Sequence, residues 1–126
     1  MTLPPVEDDP RLLEAVEAFN RRDYFEAGDA FEELFFEAVR DEVPFIRALL
    51  QVSVGLVHAE RGQRKAAIER LEEALAAFAE IVNARGFGDR GFDFARLESD
   101  VRAAISALRA HRAVAWPTIA PRAASR

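Results

Sequence analysis

The sequence predicts an all-α fold of about five helices, stacked as antiparallel helical hairpins in a tetratricopeptide-like bundle with an extended C-terminal tail. Three observations predict it. Apolar residues recur at three- and four-residue steps through most of the chain, and nowhere do apolar and polar residues alternate over a strand's length. In addition, residues 23–35 fall into register with residues 63–75 at an offset of forty. The offset pairs Ala27 with Ala67, Phe31 with Leu71, Glu32-Glu33 with Glu72-Glu73 and Phe35 with Leu75. Two hairpins built on one plan and stacked leave this kind of self-similarity.

Residues 1–8 read as a flexible N-terminus, 9–112 as a helical core and 113–126 as an extended tail, all within one domain spanning 1–126. Asp9-Pro10 opens the first helix with an acidic cap and Pro at the first helical position, and Leu12, Leu13, Val16 and Phe19 form its stripe up to Asn20-Arg21-Arg22. Asp23 is placed to cap the second helix, with Glu26 three residues on reaching back as in a capping box. Tyr24, Ala27, Phe31, Leu34 and Val39 give that helix a core stripe. After a break at Asp41 to Pro44, a very apolar third helix runs to Arg61 and ends on Gly62 as a left-handed cap. The fourth runs from about Gln63 to Ala84, with Ile68, Leu71, Leu75, Phe78 and Val82 on one face, and Gly86 closes it. Phe94, Leu97, Val101, Ile105 and Leu108 carry a fifth. In the tail, Trp116-Pro117 and Pro121 favour extended chain, with Trp116 as its anchor.

A chain of 126 residues without cysteine holds no disulfide or thiolate metal site, and its start lacks the basic and apolar regions of a secretory signal. These features predict a cytoplasmic protein. The apolar run Val43 to Ala59 is interrupted by Arg47, Gln51 and His58 and reads as a buried central helix rather than a membrane span. The net charge of −5 and the absence of a dense basic, aromatic-interleaved patch argue against nucleic acid as a partner.

Gly86-Phe87-Gly88-Asp89-Arg90-Gly91 matches the glycine pattern of a dinucleotide loop, but a helix precedes it where a strand is required, so no cofactor is expected. Glu26, Asp29, Glu33 and Glu37 line one side of the second helix, the pattern of a solvated face. Glu32 follows Phe25 and Gly28 on another stripe and precedes Phe36, so that face is expected to lie under a neighbouring helix and Glu32 to be partly buried. Across an antiparallel hairpin it then approaches Arg47, Gln51 and His58, which share one line of the third helix. Glu26, Glu32, Arg47, Gln51 and His58 are therefore the candidate binding cluster. Two readings stand: a structural network that holds the hairpin in register, or a small pocket or single-metal site with Glu32 and His58 as ligands or acid and base. No catalytic or metal-ligating set is complete.

Phe19-Asn20, Tyr24-Phe25-Glu26-Ala27, Phe31-Glu32, Leu50-Gln51-Val52, His58, Arg61-Gly62, Ala67, Leu71 and Ala74-Leu75 together resemble a bacterial and archaeal family, domain of unknown function 309. The resemblance covers roughly residues 19–78 and implies stacked helical hairpins with no established activity. The family's run Glu-Ala-His-Glu departs here: its His position is Gly28, its second Glu is Asp29, and its later Trp falls at Phe35 or Phe36. The resemblance thus implies a site that lacks one imidazole.

The function expected from these features is non-enzymatic: a helical-repeat scaffold that binds a protein or peptide or associates with itself, with no membrane or nucleic-acid partner. The alternative is a hydrolase-like or metal-dependent enzyme with a degenerate site around Glu32, Gln51 and His58.

Overall fold

The computed structural model describes residues 6–40, 42–83 and 91–121. These form an all-α bundle in which each helix packs on the next: α1 (Pro10–Asn20), α2 (Tyr24–Glu37), α3 (Glu42–Glu60), α4 (Arg64–Asn83) and α5 (Phe94–Arg109). The glycine-patterned run and the proposed Gly86 cap lie outside the described residues, apart from Gly91.

Asp9 caps α1, its side chain accepting from the Arg11 backbone N–H at 2.9 Å, with Pro10 in the first turn. Arg11 also bridges the Asp9 and Glu37 carboxylates at 2.8 Å each, joining the start of α1 to the end of α2 and holding both carboxyls below their usual range. Within the segment expected to be flexible, Val6–Asp8 form a 3-10 turn with Val6 buried. Glu42 pins it, accepting from the Val6 N–H at 3.0 Å and from the Val39 N–H at 3.2 Å.

The forty-residue offset survives as geometry. Arg22 and Gly62 both take left-handed backbone (φ 66° and 73°), and the Asp23 and Gln63 amides donate to the Ala18 and His58 carbonyls, each at 2.9 Å. These bonds reach back across a helix end as in a Schellman turn, which makes a sharp reversal. Ala27 and Ala67, then Phe31 and Leu71, are fully buried at matching places. The capping box is not formed: Asp23 makes no side-chain cap bond and Glu26 pairs with Arg21 at 3.3 Å. Reversal through Arg22 lets backbone groups close that turn. Val39, expected in the core stripe, is exposed because α2 ends at Glu37 and Ala38 is extended.

Long and apolar enough by composition to cross a bilayer, α3 instead packs between α2 and α4, burying Phe45, Ile46, Ala48, Leu49, Val52, Ser53, Gly55 and Leu56. Phe45 stacks on Phe94 at 5.1 Å and Phe78 meets Phe94 edge-on at 5.6 Å, so one aromatic cluster ties α3, α4 and α5. Asp93 caps α5 through the Arg96 N–H at 3.0 Å.

After α5 the same left-handed turn recurs at His111 (φ 56°), with the Arg112 amide donating to the Ala107 carbonyl at 2.8 Å. An extended tail follows and returns to the residues before α5, where Asp93 N–H donates to the Ala120 carbonyl at 2.9 Å. Trp116 is not its sole anchor. Pro117 and Ile119 are buried more deeply, and Ile119 belongs to the main core.

Trp116 and Pro117 cover Tyr24, whose hydroxyl donates to the Pro117 carbonyl at 3.4 Å. Burial, with Glu60 adding and Arg22 opposing, pushes the Tyr24 pKa up from 10.0 to about 12. With its folded-state value above that of the unfolded chain, the phenol's contribution to stability is complete below pH 10 and is lost as pH rises through about 12. Tyr24 is the chain's one tyrosine, so phenolate absorbance reports it alone. The expected midpoint is near 12, falling toward 10 in Trp116→Ala; a midpoint near 10 in the intact chain contradicts the covered phenol.

Candidate functional site

The antiparallel α2–α3 pair leaves a cleft of about 250 Å³ lined by Tyr24, Phe25, Gly28, Asp29, Glu32, Val54, Val57, His58 and Arg61. Its floor follows from small residues. Gly28 is buried against α3, and a Cβ built there meets nothing nearer than the Ser53 Cβ at 3.7 Å. The side-chain position at which the resemblance places a His therefore opens onto this cleft.

Of the five candidate residues, Glu32 and His58 line the cleft together, and the other three do not join them. Glu26 turns to Arg21 at the surface, and Arg47 reaches Glu80 of α4 at 3.3 Å while lying 5.9 Å from the Phe35 ring. The Gln51 Oε1 is buried with no hydrogen-bond partner among the described residues. An orphaned amide oxygen of this kind costs about 1–3 kcal/mol. The row predicted along α3 thus divides: Arg47 leans toward α4, Gln51 stays beneath the surface, and His58 faces the cleft.

Glu32 is exposed, contrary to the expectation of partial burial. Phe25 and Phe36 on the same stripe are 61% and 78% exposed, so no helix covers that face. The physical reason lies in which stripe α2 buries: Tyr24, Ala27, Phe31 and Leu34 are covered and Gly28 lies against Ser53 of α3, while Phe25, Glu32 and Phe36 stay at the surface. Phe25 is flanked instead by Arg61, whose guanidinium lies 6.0 Å from the ring.

The His58 Nδ1 pairs with the Gln63 Oε1. The contact fastens the end of α3 to the start of α4. Among the described residues no three His, Cys, Asp or Glu side chains converge to hold a metal ion. Sequence reasoning did not single out Arg61, Phe25 or Phe36 as functional residues. Phe25 and Phe36 lie on the second stripe of α2, but such a stripe reads equally as core or as interface.

Residues 12–69 match the model of a family described as Domain of unknown function (DUF309). They belong to that family. The DUF309 match runs from α1 into the first turns of α4 and so contains both walls of the cleft and every residue that lines it. A comparison with curated proteins gave no match.

Within the DUF309 segment, the partly exposed His58–Gln63 bond sets a small energetic role for the imidazole. His58→Ala and Gln63→Ala are each expected to cost about 0.5–1 kcal/mol in chemical denaturation, with the double variant costing less than their sum. A loss above about 2 kcal/mol for His58→Ala alone would restore the buried-network reading.

Proposed function

We propose that this chain is a non-enzymatic protein-binding module whose docking face is the outer line of α2 together with the α2–α3 cleft. One observation carries the reading: Phe25 and Phe36, 61% and 78% exposed, flank Asp29, Glu32 and Glu33 on one side of a single helix. Phe25, Asp29, Glu32 and Phe36 follow one another at four-, three- and four-residue steps, so they form one stripe about 16 Å long. Two large aromatic rings left in water on one line are an unsatisfied apolar surface of the kind that interfaces cover.

Charge selects the partner. Glu26 and Glu37, at the edges of the face, are engaged by Arg21 and Arg11, whereas Asp29, Glu32 and Glu33 have no ion pair among the described residues. A basic amphipathic helix that lays an apolar stripe across Phe25 and Phe36 and presents Lys or Arg to the three carboxylates satisfies both halves of the surface. The enzymatic alternative at Glu32, Gln51 and His58 finds less support, since Gln51 is not among the residues lining the cleft and His58 is engaged by Gln63.

The probe is a synthetic helix of alternating Leu and Lys turns, titrated into the protein and followed by backbone NMR shifts. The expected shifts map to α2 and the end of α3, and Phe25→Ser with Phe36→Ser weakens binding by about tenfold or more while leaving stability nearly unchanged. Shifts elsewhere, or equal affinity in the double variant, would overturn the proposal.

A further inference from the structure

On the opposite side of α2's first turn, the tail is held as a ligand is held rather than as a helix is packed. Asn20 grips the backbone of Ile119 with both ends of its amide: Nδ2 donates to the Ile119 carbonyl at 2.9 Å, and Oδ1 accepts from the Ile119 N–H at 2.7 Å. Such a bidentate grip reads peptide backbone and is indifferent to the side chain. Specificity comes from pockets. The Arg22 guanidinium lies 4.3 Å above the Trp116 ring, the Tyr24 ring is 5.9 Å from it on a tilted face, and the Tyr24 hydroxyl takes the Pro117 carbonyl. Ile119 is 2% exposed. Ala115, Thr118 and Pro121 are exposed at three-residue intervals, with Pro117 and Ile119 buried between them, the spacing of a polyproline-like extended peptide in a groove. At its far end, an isolated antiparallel bridge joins Phe92 to Pro121.

Placement in the fold strengthens this reading. Two hairpins end their first helix in the Asp23 and Gln63 turns and return as α2 and α4; the third ends α5 in the equivalent Arg112 turn and returns as extended chain. The return arm makes no helical or sheet ladder among the described residues, only isolated bonds to Asn20, Tyr24 and Asp93. A segment held by so few backbone bonds opens at lower cost than the helices around it. Its hinge adds to this, since His111 adopts a left-handed backbone that a side chain disfavours.

We propose that the groove between the Asn20–Tyr24 turn and Phe92-Asp93 is a peptide-binding site for an extended Trp-Pro-x-Ile segment, that Val114–Pro121 is its resident occupant, and that the same segment of a second copy takes that place by tail exchange. The second copy is the occupant of choice because its segment carries the same Trp, Pro and Ile that fill these pockets. In cis the tail acts at an effective concentration of about millimolar, so exchange becomes appreciable when the chain itself is that concentrated or when the resident anchors are weakened.

The test uses the full chain carrying Trp116→Ala and Ile119→Ala, with a peptide of the sequence from Val114 to Pro121 as probe. Trp116 is the chain's one tryptophan, so in this variant the peptide's indole is the sole fluorophore of its kind. The expected result is saturable binding, seen as an emission change, about tenfold or more tighter than to the unaltered chain labelled through the peptide, because the cis competitor is lost. Adding Asn20→Ala should abolish it. If the double variant is unfolded alone, recovery of helical circular dichroism on adding the peptide supports the proposal. Absence of binding to a folded variant, binding insensitive to Asn20→Ala, or failure of the peptide to restore an unfolded variant would each overturn it. The two sites meet at Tyr24, but Phe25→Ser with Phe36→Ser leaves every tail contact in place and Asn20→Ala leaves both rings in place, so the docking proposal stays separately decidable.

Discussion

The arrangement depends on how closely α3 can approach α4. A Cβ built on Gly55 would lie 2.8 Å from the Leu71 Cγ and Cδ2 and 3.3 Å from the Ala67 carbonyl oxygen. Leu71 is itself fully buried, and the carbonyl is backbone, so neither can yield without moving its neighbours. Glycine in a helix interior is unfavourable by about 1 kcal/mol relative to alanine, and its place in the chain's most apolar helix is explained by this contact. Close approach at Gly55 seats Ala67, Leu71 and Ala74 against α3, and the remaining apolar residues of α3 then turn toward α2 and the aromatic cluster around Phe94.

Once α3 is committed to neighbours on both sides, little of it remains for a site. What remains is the outward strip that carries Val54, Val57 and His58, with Arg61 just past its end, and it meets α2 where Gly28 leaves room. The cleft is therefore a by-product of helix packing, and its chemistry is that of whichever residues edge it. Those edges carry one exposed phenyl ring with an arginine beside it, and carboxylates that have no ion pair among the described residues. Holding a complementary helix, as proposed, would use this mixture of apolar and acidic surface, whereas stabilising charge development on a small substrate requires converging donors or bases.

Much of the fold was legible in the sequence because its signals were redundant. The start of α1 at Pro10 carries its Asp9 cap, and the forty-residue offset announces two reversals that prove alike down to their hydrogen bonds. Less of the site was legible. The stripe of Phe25, Gly28, Glu32 and Phe36 has helical periodicity, and periodicity marks a face without saying whether the same chain covers it. Gly28 alone on that stripe is buried. Arg47 shares a line of α3 with Gln51 in the sequence, but a long side chain at the border of two grooves chooses its partner by reach, and Glu80 lies within it. The depth of Ile119 left no trace either, since a lone aliphatic in a Pro-rich tail has no period to betray it, and its burial depends on Asn20, ninety-nine residues away.

The most direct measurement compares Gly55→Ala with Gly28→Ala by chemical denaturation. Both replace a buried helical glycine, so both gain the same intrinsic preference for alanine, and they differ in what the new methyl group meets. The account predicts that Gly55→Ala loses about 1–3 kcal/mol through overpacking against Leu71, whereas Gly28→Ala is neutral or gains up to about 1 kcal/mol. Equal stability of the two variants would contradict it.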